Sequence, residues 1–220
     1  MVSKTLSAVW ACFAVALLAA GCISIAYSIN WAMPNMVIQF VIDRSFLKAG
    51  LALGGAYIFT FVVAFVAVAQ PTAVTFVLAG LNWVIILDML MTLVIGSVIW
   101  MHTLKEQSMY REKWFVADPD IQRAIQDEFR CCGYASTTES NMAMGGFCAD
   151  STIVAQQSSC QQPFMLYADW TLNTIFTAVY GFQAILIGLF LASCCMINKV
   201  TNRAERFRKI DLKRGGGGFV

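Results

Sequence analysis

The chain has 220 residues, of which 59% are apolar and 13% charged, with a net charge of +2. Soluble domains carry roughly 45–50% apolar and 25% charged residues, so a single core in water cannot hide this much apolar surface, whereas a bilayer can. The small net charge, with no basic stripe interleaved with aromatics, argues against a nucleic-acid partner.

Residues 1–5 form a short stub carrying Lys4, and the run 6–29 follows without a single charge. That run exceeds the about 7–15 apolar residues of a secretory signal and suits a first transmembrane helix, which needs about 20. Ala19-Ala20-Gly21-Cys22 is faintly similar to a bacterial lipoprotein cleavage site, but Ala19 stands where Leu would be expected, so the run is read as a retained span. The stretch 30–48 makes a short outer loop, 49–69 a second uncharged span, and 70–72 (Gln-Pro-Thr) a tight inner turn. The third span covers 73–100, interrupted only by Asp88, and the fourth covers 170–196 with no charge. Between them lies the longest connection, 101–169, large enough to fold by itself, and after the fourth span comes the tail 197–220.

Orientation follows from Lys and Arg near the span ends. The tail holds seven basic residues (Lys199, Arg203, Arg206, Arg208, Lys209, Lys213, Arg214) against Glu205 and Asp211, whereas the long loop holds five basic and nine acidic residues. Both termini are therefore expected in the cytoplasm and the 101–169 loop outside. The glycine run 215–218 reads as a flexible end or an expression remnant.

Within the long loop, the third helix is expected to continue past the bilayer through 102–115. Asp118-Pro119-Asp120 marks a new helix start, with an Asp cap, Pro at the first helical position and acid in the first turn. Ile121, Ile125 and Phe129 give it one apolar stripe, and Gly133 after Cys131-Cys132 suits a left-handed cap. Residues 134–159, rich in Ser, Thr, Gly, Asn and Gln, read as a variable loop region, and Pro163 reopens a helix leading into the fourth span.

Four of the eight cysteines lie in this loop: Cys131, Cys132, Cys148 and Cys160. An even number on the oxidising side points to two disulfides. Adjacent α-carbons sit about 3.8 Å apart, below the usual range of roughly 4.4–6.8 Å in a disulfide. Cys131 and Cys132 must then each reach a distant partner, which leaves two pairings open. A unit this small rarely holds together on its core alone, and closing a loop of about 15 residues contributes roughly 3 kcal/mol in the chain-entropy account.

A Cys131-Cys132-Gly133 motif in the long outer loop of a four-span chain resembles the tetraspanin signature, and the short-then-long outer loops, small inner turn and juxtamembrane cysteines extend the likeness over nearly the whole chain. The compact loop is more similar to fungal members than to animal ones. The resemblance implies an all-α integral membrane protein, a four-transmembrane-helix bundle with a small disulfide-stapled helical extracellular domain. It also implies nested bridges, Cys131 with Cys160 and Cys132 with Cys148. Two features depart from the family pattern: Gln157 stands where a Pro often precedes Ser-Cys, and no Asn occurs in the first span.

Asp88, Gln183 and Thr60 fall at similar depth in the third, fourth and second spans, so they are read as one intramembrane polar cluster. A carboxyl at that depth is costly on insertion scales, roughly 2.5–3.5 kcal/mol, so Asp88 should face the bundle interior. With one acid, no intramembrane Lys, Arg or His and no broken helix, it is read as interhelical glue rather than a proton or ion relay. Tetraspanins share a polar fourth-span residue lining a sterol-accessible cavity, and Gln183 is the matching position; the missing first-span Asn weakens the case for a sterol here.

Small residues mark helix contacts: Cys12, Ala16, Ala20, Ser24 and Ser28 in the first span, Gly50 and Gly54 in the second, and Ala184, Gly188 and Ala192 in the fourth. Packing within one chain is expected in preference to a homo-oligomer. Cys12 and Cys22 are expected in the core. Cys194 and Cys195, at the inner edge of the fourth span beside the basic tail, read as an S-acylation site, the alternative being two small buried hydrophobes. The tail itself should be drawn to anionic inner-leaflet lipid.

No nucleotide loop, zinc spacing, Cys-x-x-Cys pair or Ser/His/Asp set occurs, the one histidine is His102, and no Asn-x-Ser/Thr acceptor is present. The expectation is therefore no enzyme, no metal and no cofactor. The resemblance implies a scaffold that organises other membrane proteins laterally through residues 134–159 and its helices, at the plasma membrane or an endosomal or vacuolar membrane. A small transporter or channel subunit using Asp88 is the alternative. A claudin-like junction protein fits less well, since its larger outer loop would follow the first span.

Overall fold

The computed structural model describes residues 4–33, 35–69, 74–137, 139 and 142–213. The expected inner turn 70–72, the basic residue Arg214 and the glycine run 215–218 lie outside the described residues, as do 138, 140 and 141 in the variable stretch. Helices run in the order α1 (Lys4–Ala32), α2 (Met36–Val41), α3 (Arg44–Ala69), α4 (Val74–Leu104), α5 (Glu106–Val116), α6 (Pro119–Phe129), α7 (Ser151–Gln156) and α8 (Gln161–Lys213). Four of them, α1, α3, α4 and α8, are long and apolar enough to cross a membrane.

The chain divides into two units. The first comprises Met1–Ile25, Ala52–Leu93 and Gly181–Val220; the second comprises Ala26–Leu51 and Val94–Tyr180.

In the first unit the buried face of α1 is Trp10, Ala14, Leu17 and Ala20, in steps of three and four. The small-residue stripe expected from Cys12 to Ser28 is not one face. A strict four-residue step advances about 40° per step around a 3.6-residue helix, so its ends point nearly opposite ways. Cys12 and Cys22 accordingly fall off the buried face and are exposed rather than in the core. Gly21 and Gly54 bring α1 and α3 together backbone to backbone: a β-carbon on Gly54 would lie 2.8 Å from the Gly21 carbonyl oxygen and 2.6 Å from Ile25 Cγ1. Gly188 on α8 takes a ring in the same way, with Phe13 occupying the space a side chain would fill. Close backbone approach through small residues maximises van der Waals contact between apolar helices.

The second unit has its own core of Phe40, Val41, Tyr110, Trp114, Ile125, Tyr134 and Phe164. Phe164 sits edge-on to Phe40, Tyr110 and Phe129, a geometry that aromatic quadrupoles favour. Asn35 caps α2 by accepting from the Val37 and Ile38 amides. The end of α2 and the residues after it are tied to α5 twice: Tyr110 Oη donates to the Val41 carbonyl (3.0 Å), and Lys113 Nζ pairs with Asp43 at 2.8 Å. The half-exposed ion pair is worth at most about 1 kcal/mol; the buried phenol fixes the register.

Two boundaries differ from the sequence reading, and a third feature lay beyond it. The helix expected to run unbroken through 102–115 is interrupted at Lys105, dividing α4 from α5. The left-handed cap of α6 is Arg130 (φ 50°, ψ 51°), with Gly133 (φ 70°) forming the next turn instead. The tail is helical as far as Lys213, because nothing in Lys199–Lys213 breaks the helix that α8 begins at Gln161. Asp118, by contrast, caps α6 as its sequence suggests, accepting from the Asp120 amide ahead of Pro119.

Candidate functional site: the disulfide-held segment and the buried polar ladder

Two disulfides join Cys131 to Cys160 and Cys132 to Cys148, the nested pairing that the motif's resemblance implies. The backbone around them is a clamp. Cys132 N donates to the Ser158 carbonyl (3.2 Å), Cys160 N to Gly133 (2.8 Å) and Gln161 N to Tyr134 (2.9 Å). The motif is thereby stitched to the first residue of α8. Gly133 is required there: it has positive φ, and a β-carbon would collide with the Ser136 carbonyl oxygen. Both the left-handed backbone and the close approach select glycine.

Two glutamines on α6, missed in the sequence reading, hold the 134–159 stretch in place. Gln122 is 4% exposed and Gln126 0%. Gln122 Nε2 donates to the Trp114 carbonyl (2.8 Å), and its Oε1 accepts from Ala143 N (3.0 Å). Gln126, with its amide oriented to satisfy both ends, donates to the Ala143 carbonyl (2.9 Å) and accepts from Gly133 N (3.2 Å). Asp127 adds a bond from Phe147 N (2.7 Å), and Glu139 accepts from the Tyr134 and Ala135 amides. Side chains thus supply the partners that sheet or helix would otherwise give these backbone groups. A short helix, α7, lies within the stretch, capped by Asp150; the Thr152 amide bond to its exposed carboxylate holds that group below the usual range. The spacing of four between Gln122 and Gln126, beside the apolar stripe of Ile121 and Ile125, was the available signal.

The second arrangement is a polar ladder between α3 and α4. Thr60 Oγ1 donates to Asp88 Oδ2 (2.5 Å), Thr92 Oγ1 donates to the Asp88 carbonyl (2.7 Å), and the hydroxyls of Tyr57 and Thr92 share a bond of 2.7 Å. All four residues are buried, and Asp88 lies on a continuous buried face with Leu81, Ile85 and Thr92. Tyr57 and Thr92 were not anticipated. Among the described residues, Gln183, expected to complete the cluster, is not joined to it by a hydrogen bond, and its Oε1 is buried without a partner. Similar depth along two helices does not fix the rotation of either about its axis.

Cys194 and Cys195 differ. The Asn82 amide donates to Cys194 Sγ (3.5 Å), which is half-buried, whereas Cys195 is exposed. Among the described residues no group of three or more His, Cys, Asp or Glu side chains could hold a metal ion. Comparison with protein-family models, with curated proteins and with solved structures found no match to this chain.

Proposed function

We propose that this chain is a tetraspanin-like, multi-pass membrane scaffold. Its four long helices cross the bilayer with both termini cytoplasmic, and its disulfide-held domain, outside, selects partner membrane proteins. The observation that carries the reading is the pair of nested disulfides starting at Cys131-Cys132-Gly133, in a helical segment between the third and fourth apolar helices. Disulfides persist on the oxidising side of a membrane, which favours an outward domain, and the seven basic residues after the last apolar run favour a cytoplasmic tail near anionic lipid. Residues 134–159 are pinned to α6 largely through their backbone groups, so that, Cys148 and Glu139 apart, their side chains are the part most free to vary without loss of the scaffold. A lateral partner surface needs that freedom. The exposed Cys195 and its neighbour Cys194 serve as the acylation site.

The transporter reading with Asp88 is the weaker one, because both of Asp88's contacts, to Thr60 and to Thr92, join neighbouring turns and helices rather than opening a path. The test is photocrosslinking in living cells from single positions in 134–159, beside an impermeant thiol reagent on cysteines placed at residue 2 and residue 140. Crosslinks to specific membrane proteins that vanish when residues 134–159 other than Cys148 are replaced, with only position 140 labelled from outside, support the scaffold. Labelling of position 2 from outside, or crosslinks indifferent to the replacement, would overturn it.

A further inference from the structure

The joint between α4 and α5 is one residue, Lys105 (φ −108°, ψ 9°), whose side chain makes no capping bond to α5. Its amide donates to His102 and its carbonyl accepts from the Met109 amide (3.0 Å) and the Ser108 hydroxyl (3.0 Å). Glu106 comes immediately after this joint and is 6% exposed. Its Oε1 is buried with no hydrogen-bond partner among the described residues. Burying a carboxylate with one of its oxygens unpartnered is costly, and the usual escape is to take up a proton.

The surroundings offer no relief. Asp169 on α8 acts on Glu106 with like charge, and burial first, with Glu106 second, pushes the Tyr110 and Tyr134 phenols up. Of the nearby cations, Lys113 is engaged by Asp43, and Arg111 acts on Tyr134. Lys105 is the joint itself, and His102, on the last turn of α4, packs its ring against Phe46. Burial first, and Asp169 second, raise the Glu106 carboxyl from the ordinary 4.5 to about 7.

We infer that Glu106 is a proton-operated latch at the α4–α5 joint: protonated by solvent, it stays buried beside Asp169 and holds α5 in place; ionised, it is driven toward water and frees α5. This goes beyond the scaffold reading and does not rest on it. The sign follows from linkage. A carboxyl raised in the folded state contributes stability that is complete below about 4.5 and is lost as pH rises to about 7. The latch therefore sets on acidification. One proton limits the change in the opening equilibrium to about tenfold per pH unit.

The test uses the purified full chain in detergent, with hydrogen exchange of peptides from residues 106–116 followed between pH 4.5 and 8 and corrected for intrinsic exchange. In the wild type, the opening equilibrium of α5 should rise toward tenfold per unit and level off near neutrality. Glu106→Gln, uncharged and nearly isosteric, should abolish the slope. Asp169→Asn should keep it but move its end to lower pH, because the like charge is gone. A wild type flat over this range, or a Glu106→Gln protein with the wild-type slope, sinks the latch. Should Glu106→Gln fail to fold, Asp169→Asn decides alone: a displaced end supports the latch and an unmoved one overturns it.

Discussion

Thr60 on α3 donates its hydroxyl to the carboxylate of Asp88 on α4, at 2.5 Å and buried from solvent. Thr92, one turn further along α4, bonds both the Asp88 carbonyl and the Tyr57 hydroxyl, so two bonds tie α3 to α4 across this ladder. Interhelical bonds of this kind average about 0.6 kcal/mol in membranes. Asp88→Asn keeps an acceptor for Thr60 and should change the unfolding midpoint of the detergent-solubilised protein little. Asp88→Leu strands Thr60 and should destabilise by about 1–3 kcal/mol, the usual cost of an orphaned buried group. Proton or cation flux into liposomes is the companion measurement: none is expected in either protein. Flux present in the wild type and absent in Asp88→Asn would restore the transporter reading.

The α1–α3 contact yields a paired test from neighbouring residues. A β-carbon on Gly54 meets Ile25 and the Gly21 carbonyl, whereas one on Gly55 meets nothing within 4 Å. Gly54→Val should force the helices apart and cost about 1–3 kcal/mol, the usual penalty for overpacking. Gly55→Ala should be neutral or slightly stabilising, since Ala is the better helix former. Thermal unfolding of the two variants side by side checks this; equal midpoints would remove Gly54 from the packing argument.

Acylation should be unequal at the adjacent thiols. Cys195 is exposed, while Cys194 is half-buried and accepts from Asn82. In thioester-specific exchange labelling, Cys195→Ser should lose most of the signal, Cys194→Ser a smaller share, and the double variant nearly all. A double variant that labels like the wild type would redirect attention to Cys12, which is also exposed.

The glutamine pins are separable from the disulfides. Gln126→Ala removes the partners of the Ala143 carbonyl and the Gly133 amide and leaves both bridges chemically intact. Limited proteolysis without reductant should then cut within 142–147 at least several-fold faster than in the wild type, with Cys131–Cys160 and Cys132–Cys148 still recovered by peptide mapping. An unchanged cleavage rate would show that the bridges alone order the segment.

Four long apolar helices, the Asp118-Pro119 helix start and the site of the cysteine motif were all legible in the sequence, because each depends on residues near one another in the chain. The length of an apolar run, cap chemistry and the short reach between vicinal cysteines are local facts. Which cysteine takes which partner was fixed in the sequence only through family likeness. The structure sets it by bringing Gly133 and Tyr134 alongside Cys160 and Gln161.

Rotation about helix axes was beyond the sequence. Depth along a span placed Thr60, Asp88 and Gln183 at one level, yet only the packed helices turn Thr60 toward Asp88 and leave Gln183 unjoined. The same freedom hid the exposure of Cys12 and Cys22, since a run apolar on all sides carries no signal of which face is buried. Glu106 belongs to the same class. Beside Lys105 and Gln107 it reads as one more surface acid of a polar helix. The break at Lys105 and the packing around it bury its carboxyl near Asp169, a residue far along the chain. Burial without a partner is a property of the fold, not of the residue.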